Sequence, residues 1–360
     1  MKVAIVLGTR PEIIRLSKVI ESLDRVCEVV LVHTGQNFDP NLSDLFFDEL
    51  GVRAPDHRLA IEGEGFATRV GAILAGIAPV LERERPDRLL VLGDTDSAMS
   101  AYVAKRMGIP VVHMEAGNRC FDDRVPEEVN RRIIDQASDV LLPYTEHSRE
   151  NLLREGYHPR RVLVTGNPIK EVLDAHAERI AASTALGELD LEVAGYLLLT
   201  LHRQETVDFP ERLRALLTED REAAEELGLP VIFSVHPRTR ERLERLGLGG
   251  PPLRPCEPFG YFDFVALERD ARCVLTDSGT VQEECCIMRI PAVTVRDTTE
   301  RPETVECGSN VLSGVGVGGV APALRLALER PTDWRIPPEY EATNVSSAVG
   351  AIVTGRLPSA

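Results

Sequence analysis

Residues 113–132, HMEAGNRCFDDRVPEEVNRR, crowd titratable groups of both signs directly after an apolar run ending Pro110-Val111-Val112. Glu115, Asp122, Asp123, Glu127 and Glu128 stand among His113, Arg119, Arg124, Arg131 and Arg132. Carboxylates beside fixed cations suit proton transfer on a substrate that is itself anionic. Pro126 fits the first turn of a helix, and Glu127 and Glu128 complement its positive end. Glu127 and Arg131, four apart, share a face of that helix. An exposed ion pair, worth about a few tenths of a kcal/mol, is the plainer reading of those two alone.

Other motifs sit at the same kind of place, the end of an apolar run. In VLGTRPE (6–12), Arg10 and Pro11 open a helix, where a cation opposes the dipole. An anion shared with the helix end would account for Arg10, as would a side chain turned to solvent. LLVLGDTDSAMSA (89–101) puts Asp94 at a strand end, either facing a ligand or capping the next helix. LLTLHRQE (198–205) places His202 and Arg203 in the same way, and FSVHPRTR (233–240) does so with His236 one strand later. VLTDSGTVQEE (274–284) offers the hydroxyls and N–H groups of Ser278, Gly279 and Thr280. That turn is a phosphate cradle unless it merely caps its helix, and Glu283 and Glu284 lie one turn further in, within reach of a ribose diol. RDTTERPE (296–303) adds Arg296 and Arg301. Arg10, Arg131, His202 and the Ser278–Thr280 turn together suit a diphosphate, with Asp94, Glu115 and Glu127 as acid–base groups beside it. The turn after the first strand has Gly8 alone, so the G-x-G-x-x-G fingerprint is missing and no NAD is expected. No zinc-type ligand spacing occurs, so no metal is expected.

Positioning these groups takes strands that end at one edge. Apolar runs at 2–7, 28–33, 88–92, 110–114 and 139–142, then 196–200, 230–234, 272–275, 292–295 and 309–312, read as strands. Amphipathic helical patterns lie between them. This alternation predicts an α/β architecture with parallel sheets covered on both faces. The strands fall into two groups, so two doubly wound, Rossmann-like domains are expected to face one another across a cleft at the carboxyl ends of their strands. Residues 1–168 would form an N-terminal domain carrying the carboxylates, and residues 169–343 the nucleotide-binding domain. Residues 344–360 would add a helix and tail packing back on the first domain.

The chain of 360 residues has 57 acidic and 41 basic side chains, a formal net charge of −16, and 5% aromatics. Such a surface repels nucleic acid and anionic membranes and offers little to stack on bases. No apolar stretch approaches the roughly 20 residues of a membrane span, and MKVAIVLGTRPE reads as a buried strand rather than a signal peptide. Seven cysteines without C-x-x-C spacing read as reduced thiols of a cytoplasmic protein.

Taken in order, GTRPE, GDT, EAGNR, PEEVNR, TGNP, HRQE, HP, DSGTVQEE and RDTTERPE resemble the non-hydrolysing UDP-N-acetylglucosamine 2-epimerases over nearly the whole chain. Within that family, IIRLSKVI, HTGQNFD, MEAGNRCFDDRVPEE and DSGTVQEE look more like the subgroup that forms UDP-N-acetyl-L-fucosamine. The resemblance implies a glycosyltransferase-B type fold, a homodimer, a UDP-sugar substrate, UDP as partner and no cofactor. It also implies an isomerase that inverts C2 by eliminating UDP to a glycal and adding it back. The C2 proton lies next to no carbonyl, so this route needs acid–base groups near C2 and cations on the leaving diphosphate. By the same resemblance, Asp94, Glu115 and Glu127 are the acid–base carboxylates. Arg10, Arg131 and His202 hold the diphosphate and leaving group. Ser278 and Gly279 bind phosphate, with Thr280 where the family usually has glycine. Glu284 takes the ribose, Arg301 contacts sugar or phosphate, and Arg15 stands where the commoner enzymes carry lysine. A hydrolysing relative that releases UDP, a glycosyltransferase of the same architecture and a non-catalytic nucleotide-sugar sensor are the other readings.

Overall fold

The computed structural model describes residues 1–36, 40–61, 65–235, 237–248, 250–316 and 318–357. Among them, twelve strands form two six-stranded sheets with parallel pairing throughout. The first contains β1 (Lys2–Leu7), β2 (Glu28–His33), β3 (His57–Arg58), β4 (Arg88–Leu92), β5 (Val111–Met114) and β6 (Val140–Leu142). The second contains β7 (Leu197–Leu201), β8 (Val231–Val235), β9 (Leu253–Cys256), β10 (Cys273–Thr276), β11 (Ala292–Thr294) and β12 (Asn310–Leu312). The spatial orders are β3-β2-β1-β4-β5-β6 and β9-β8-β7-β10-β11-β12. Counted from its own first strand, each sheet runs 3-2-1-4-5-6, the Rossmann order. The strand order, not the strand direction, reverses between β1 and β4 in one sheet and between β7 and β10 in the other. In such sheets, ligands bind at those switch points.

Every strand read from the sequence is present, and the structure adds β3 and β9, each at a sheet edge. Neither has an apolar run to announce it: β3 is His57-Arg58, and in β9 (LRPC) only Leu253 is buried. After β4 the chain makes a 3-10 turn, Asp96–Met99, before the α-helix Ser100–Arg106.

The chain divides into two compact units. The first is Met1–Ala175 with Glu339–Ala360, the second His176–Pro338. In the second unit, Leu197, Leu199 and Leu201 of β7 pack into one apolar layer and Leu198 into the other. Val231, Phe233 and Val235 of β8 repeat the pattern against Ile232. Strands covered on both faces therefore read as continuous apolar runs, each buried side chain contributing about 2 kcal/mol. In the first unit, Ala4 and Val6, Val30 and Val32, and Leu89 and Val91 share one cluster with Ile77, Leu81 and Ile134 of the covering helices.

The return of the chain to the first unit has a local cause. The helix Val345–Thr354 packs on the helix Arg10–Asp24, where a Cβ on Gly350 would come within 3.1 Å of Ser22 Oγ. Arg88 donates to the carbonyls of Ile352 and Gly355 at 3.4 and 2.6 Å, tying the last turn of that helix to β4.

Candidate active site

At the β1/β4 switch point, the turn after β1 leaves no room for a side chain. A Cβ on Gly8 would lie 2.0 Å from Thr34 Oγ1 and 2.3 Å from Ser97 Oγ. Thr9 then caps the helix Arg10–Asp24, with Pro11 in its first turn. Glu12 reaches back to accept from the N–H groups of Gly8 and Thr9 at 2.9 and 2.8 Å and from the Thr9 hydroxyl at 2.8 Å. Its other oxygen accepts from Thr95 Oγ1 at 2.9 Å, so this carboxyl joins the turns after β1 and β4. Complete burial raises Glu12 to about 7 against the pull of those hydrogen bonds. Arg10 lays its guanidinium 5.6 Å from the centroid of the Phe46 ring.

Two of the expected carboxylates stand at this edge, each with an arginine. Asp94, in the turn after β4, accepts from Arg131 Nε at 3.0 Å and also from its Nη2. Glu115 follows β5 in a left-handed conformation, φ +63°. It accepts from Arg15 Nη1 at 2.6 Å and from Asn118 Nδ2 at 3.1 Å. The two turns touch, since a Cβ on Gly93 would approach Glu115 Oε2 to 3.4 Å. Arg131 also donates to Glu128 at 2.6 Å. Glu128 is fully buried and accepts from the N–H groups of Cys120 and Phe121 at 3.0 and 3.2 Å. Burial alone would raise Glu128, but those donors with Arg131 and Arg132 hold it below the usual carboxylate range. Glu127, beside it, is half-buried in the first turn of the helix Pro126–Ala137. The N-cap position of the following turn is Thr95 rather than Asp94, and the Asp94 carboxylate goes to Arg131. Asp122 pairs with Arg124 at 2.7 Å, and Asp123 with Arg132 at 3.1 Å.

The second unit builds its own cluster at the β7/β10 switch point. Asp277, which follows β10 and is completely buried, accepts from the N–H groups of His202 and Arg203, each at 2.9 Å. Its Oδ1 is 3.0 Å from His202 Nδ1, which orients the half-exposed ring. Burial opposes ionisation of Asp277, yet the His202 charge and these hydrogen bonds outweigh it and hold the carboxyl below its ordinary value. Ser278 stands at the N-cap position of the helix Gly279–Met288, with no capping hydrogen bond from its side chain. A Cβ on Gly279 would lie 3.4 Å from Glu300 Oε1 and 3.5 Å from Arg301 Nη2, so the helix start runs along the Glu300–Arg301 segment. Thr280 is buried in the first turn. Arg301 pairs through Nε with the buried Glu283, and Arg203 donates to Glu300 at 3.1 Å. Glu284, also buried, accepts from Tyr261 Oη at 3.3 Å. Burial, and then the charge of Glu284, push its neighbour Glu268 well above the carboxylate range. His236 lies outside the described residues.

The structure thus brings Asp94, Glu115, Arg15 and Arg131 together in one unit. In the other it brings His202 beside Asp277, and Gly279 beside Arg301. The groups that hold them, Glu12, Glu128 and Asp277, were not among the residues singled out for the site. Glu12 had a signal, because T-x-x-E at 9–12 is a capping box. Among the described residues, no cluster of three or more His, Cys, Asp or Glu could hold a metal, and no helix is long and apolar enough to cross a membrane.

The model of the family described as UDP-N-acetylglucosamine 2-epimerase matches residues 21–352. The chain belongs to that family. It is an epimerase, an isomerase by class. The UDP-N-acetylglucosamine 2-epimerase of Methanocaldococcus jannaschii is 40% identical over 347 residues, covering 94% of this chain and 95% of that protein. The crystal structure of the same organism's UDP-GlcNAc 2-epimerase, in complex with UDP-GlcNAc and UDP, superposes with a TM-score of 0.93 at 38% identity. It covers 98% of this chain and 99% of its own. The UDP-2,3-diacetamido-2,3-dideoxy-D-glucuronate 2-epimerase of Pseudomonas aeruginosa is 37% identical over 336 residues, 91% of this chain and 92% of that protein. Family members of this likeness thus carry names with different sugars.

Proposed function

We propose that this chain interconverts UDP-N-acetylglucosamine and UDP-N-acetylmannosamine, keeping the nucleotide attached in the product. The observation that carries the reading is the pairing of both strand-end carboxylates with arginines, Asp94 with Arg131 and Glu115 with Arg15, at one sheet edge. A carboxylate takes the C2 proton, the C2–H electron pair becomes the C1=C2 bond, and the C1–O bond breaks to release UDP. The glycal then takes a proton on its opposite face as UDP adds back. Asp94, Glu115 and Glu127 serve as the acid–base groups, and Arg10 and Arg131 balance charge on the leaving diphosphate. His202, oriented by Asp277, assists the leaving group. Ser278, Gly279 and Thr280 at a helix start suit a phosphate, with Arg301 alongside, and Glu284 suits the ribose. The names of the relatives support a UDP-sugar substrate.

The motif resemblance to the fucosamine-forming subgroup favours a 6-deoxy-L sugar as the second reading of the substrate. Groups at C5 and C6 typically shift preference by about 1–3 kcal/mol in an apolar pocket, so a competition assay resolves them. Initial rates with UDP-N-acetylglucosamine, the UDP-6-deoxy-L-talose derivative and the UDP-diacetamido-glucuronate sugar test the choice. The reading expects the highest kcat/KM for UDP-N-acetylglucosamine. A tenfold preference for either other sugar replaces the substrate and keeps the reaction, whereas turnover of none of them removes both.

A further inference from the structure

The groups assigned to proton transfer ride on three separate segments. Asp94 is on the turn after β4, Glu115 on the turn after β5, and Glu127 with Arg131 on the helix Pro126–Ala137. Shifts of about 1 Å between such groups can cost about 100-fold in rate, so something must hold the segments in register. His113, fully buried in β5 opposite Val91 of β4, lies where all three meet. Its Nε2 is 2.8 Å from the carbonyl oxygen of Gly93, the residue before Asp94. Its Nδ1 is 2.9 Å from Oδ1 of Asp135, two turns along the helix from Glu127.

Hydrogen-bond partners on both sides fix the orientation of the ring. A carbonyl only accepts, so Nε2 carries hydrogen. Asp135 Oδ2 accepts from Arg119 Nη2 at 2.8 Å and from the Gly117 N–H at 3.3 Å. Asp135 thus meets the His113 ring through one oxygen and the loop after Glu115 through the other. Arg119 is closed in turn by Glu155, at 2.8 Å from Nε and 2.6 Å from Nη2. Burial would lower the Arg119 guanidinium, but Glu155 and Asp135 outweigh it and raise it. Gly117 and Arg119 belong to the loop that begins at Glu115, so Asp135 gathers that loop while His113 gathers the Asp94 turn.

We propose that His113, bridging the Gly93 carbonyl and Asp135, is a positioning residue that locks the turns bearing Asp94 and Glu115 to the helix bearing Glu127 and Arg131. The proposal rests on the acid–base assignment made above. Its signature follows from the two-step reaction. Elimination needs one carboxylate in place, and inversion needs a second proton donor correctly set on the other face. A frame that slackens uncouples the steps, and the glycal and UDP leave before re-addition. Loss of stability alone lowers the amount of folded enzyme but does not divert its product.

The test follows His113→Leu, His113→Gln and Asp135→Asn by proton NMR with UDP-N-acetylglucosamine in deuterated water, with Asp94→Asn alongside. Folded fraction is checked by circular dichroism. His113→Leu should turn over about 100-fold more slowly, bind UDP within about twofold of wild type, and release free UDP with the glycal. His113→Gln retains a donor for the Gly93 carbonyl and should recover about tenfold of that loss. If the leucine variant does not fold, Asp135→Asn, which keeps the shape, should be slowed with the same leakage. Folded His113→Leu or Asp135→Asn with wild-type kcat and no free UDP overturns the proposal. Near-normal turnover by Asp94→Asn would instead overturn the acid–base assignment, so the two failures are distinct.

Discussion

Arg15 Nη1 lies 2.6 Å from Glu115 Oε2, and the two side chains expose only 5% and 6% of their surface. The guanidinium also lies 5.9 Å from the centroid of the Tyr144 ring. Arg15 stands on the helix after β1 and Glu115 on the turn after β5, so the pair spans the β4 turn. Removing one partner of a buried pair leaves the other charge uncompensated, at about 3–5 kcal/mol. Arg15→Met should destabilise the protein by that amount in urea titrations. Arg15→Lys keeps a cation but not the planar fork, and should lose no more than about a third as much. Equal losses for the two would show that the charge is not what matters.

Asp94 and Glu127 are expected to move protons. Asp94→Asn and Glu127→Gln should each lower kcat by about 100-fold or more, the scale of acid–base catalysis, while UDP binding by calorimetry stays near wild type. A variant that keeps normal turnover has lost its assigned role. Glu128 differs from its neighbour in being a fully buried support for Arg131. Glu128→Gln should therefore weaken UDP binding and stability together.

Glu12 makes stability depend on pH. Its folded value is raised from 4.5 to about 7, chiefly by burial. Between those values the folded chain holds a proton that the unfolded chain has lost. This contribution is therefore fully present below about 4.5 and fades as pH rises through about 7, a change on the order of 3 kcal/mol. Glu12→Gln keeps the shape and does not titrate. The stability of the variant relative to wild type should climb between pH 4.5 and 7.5, measured by urea unfolding. A difference that stays flat contradicts this.

The role proposed for His202 depends on Asp277, which holds its ring. Asp277→Asn should lower kcat about as much as His202→Ala, roughly 10- to 100-fold, and the double variant should be no worse than the worse single one. Additive losses would mean that the two act separately. Because Asp277 is depressed in the fold, its stabilisation holds above the unfolded value of 3.8 and is lost as pH falls through the folded one. The advantage of wild type over Asp277→Asn should therefore shrink in acid.

The strands were legible because parallel strands buried on both faces must be apolar throughout, as Leu89 to Leu92 and Leu197 to Leu199 are. The edge strands β3 and β9 were not, because little of either is buried. The turn residues Asp94, Glu115 and His202 were visible because they break apolar runs at the end where such sheets bind ligands. Their partners were not, because strand order decides which turns touch. Thr95 meets Glu12 and Asp277 meets His202 only because β4 lies beside β1 and β10 beside β7. Helical spacing suggested Glu127 as a partner for Arg131, while the structure pairs Arg131 with Glu128, three residues away, and with Asp94 from another segment.

The most direct test of the central claim is one proton NMR time course of the purified protein with UDP-N-acetylglucosamine in deuterium oxide. The account predicts a new manno anomeric signal, deuterium at C2 in both sugars, and UDP still attached at equilibrium. Free UDP with free N-acetylmannosamine would contradict it in favour of hydrolysis, and inversion without deuterium at C2 would contradict the proton-transfer route.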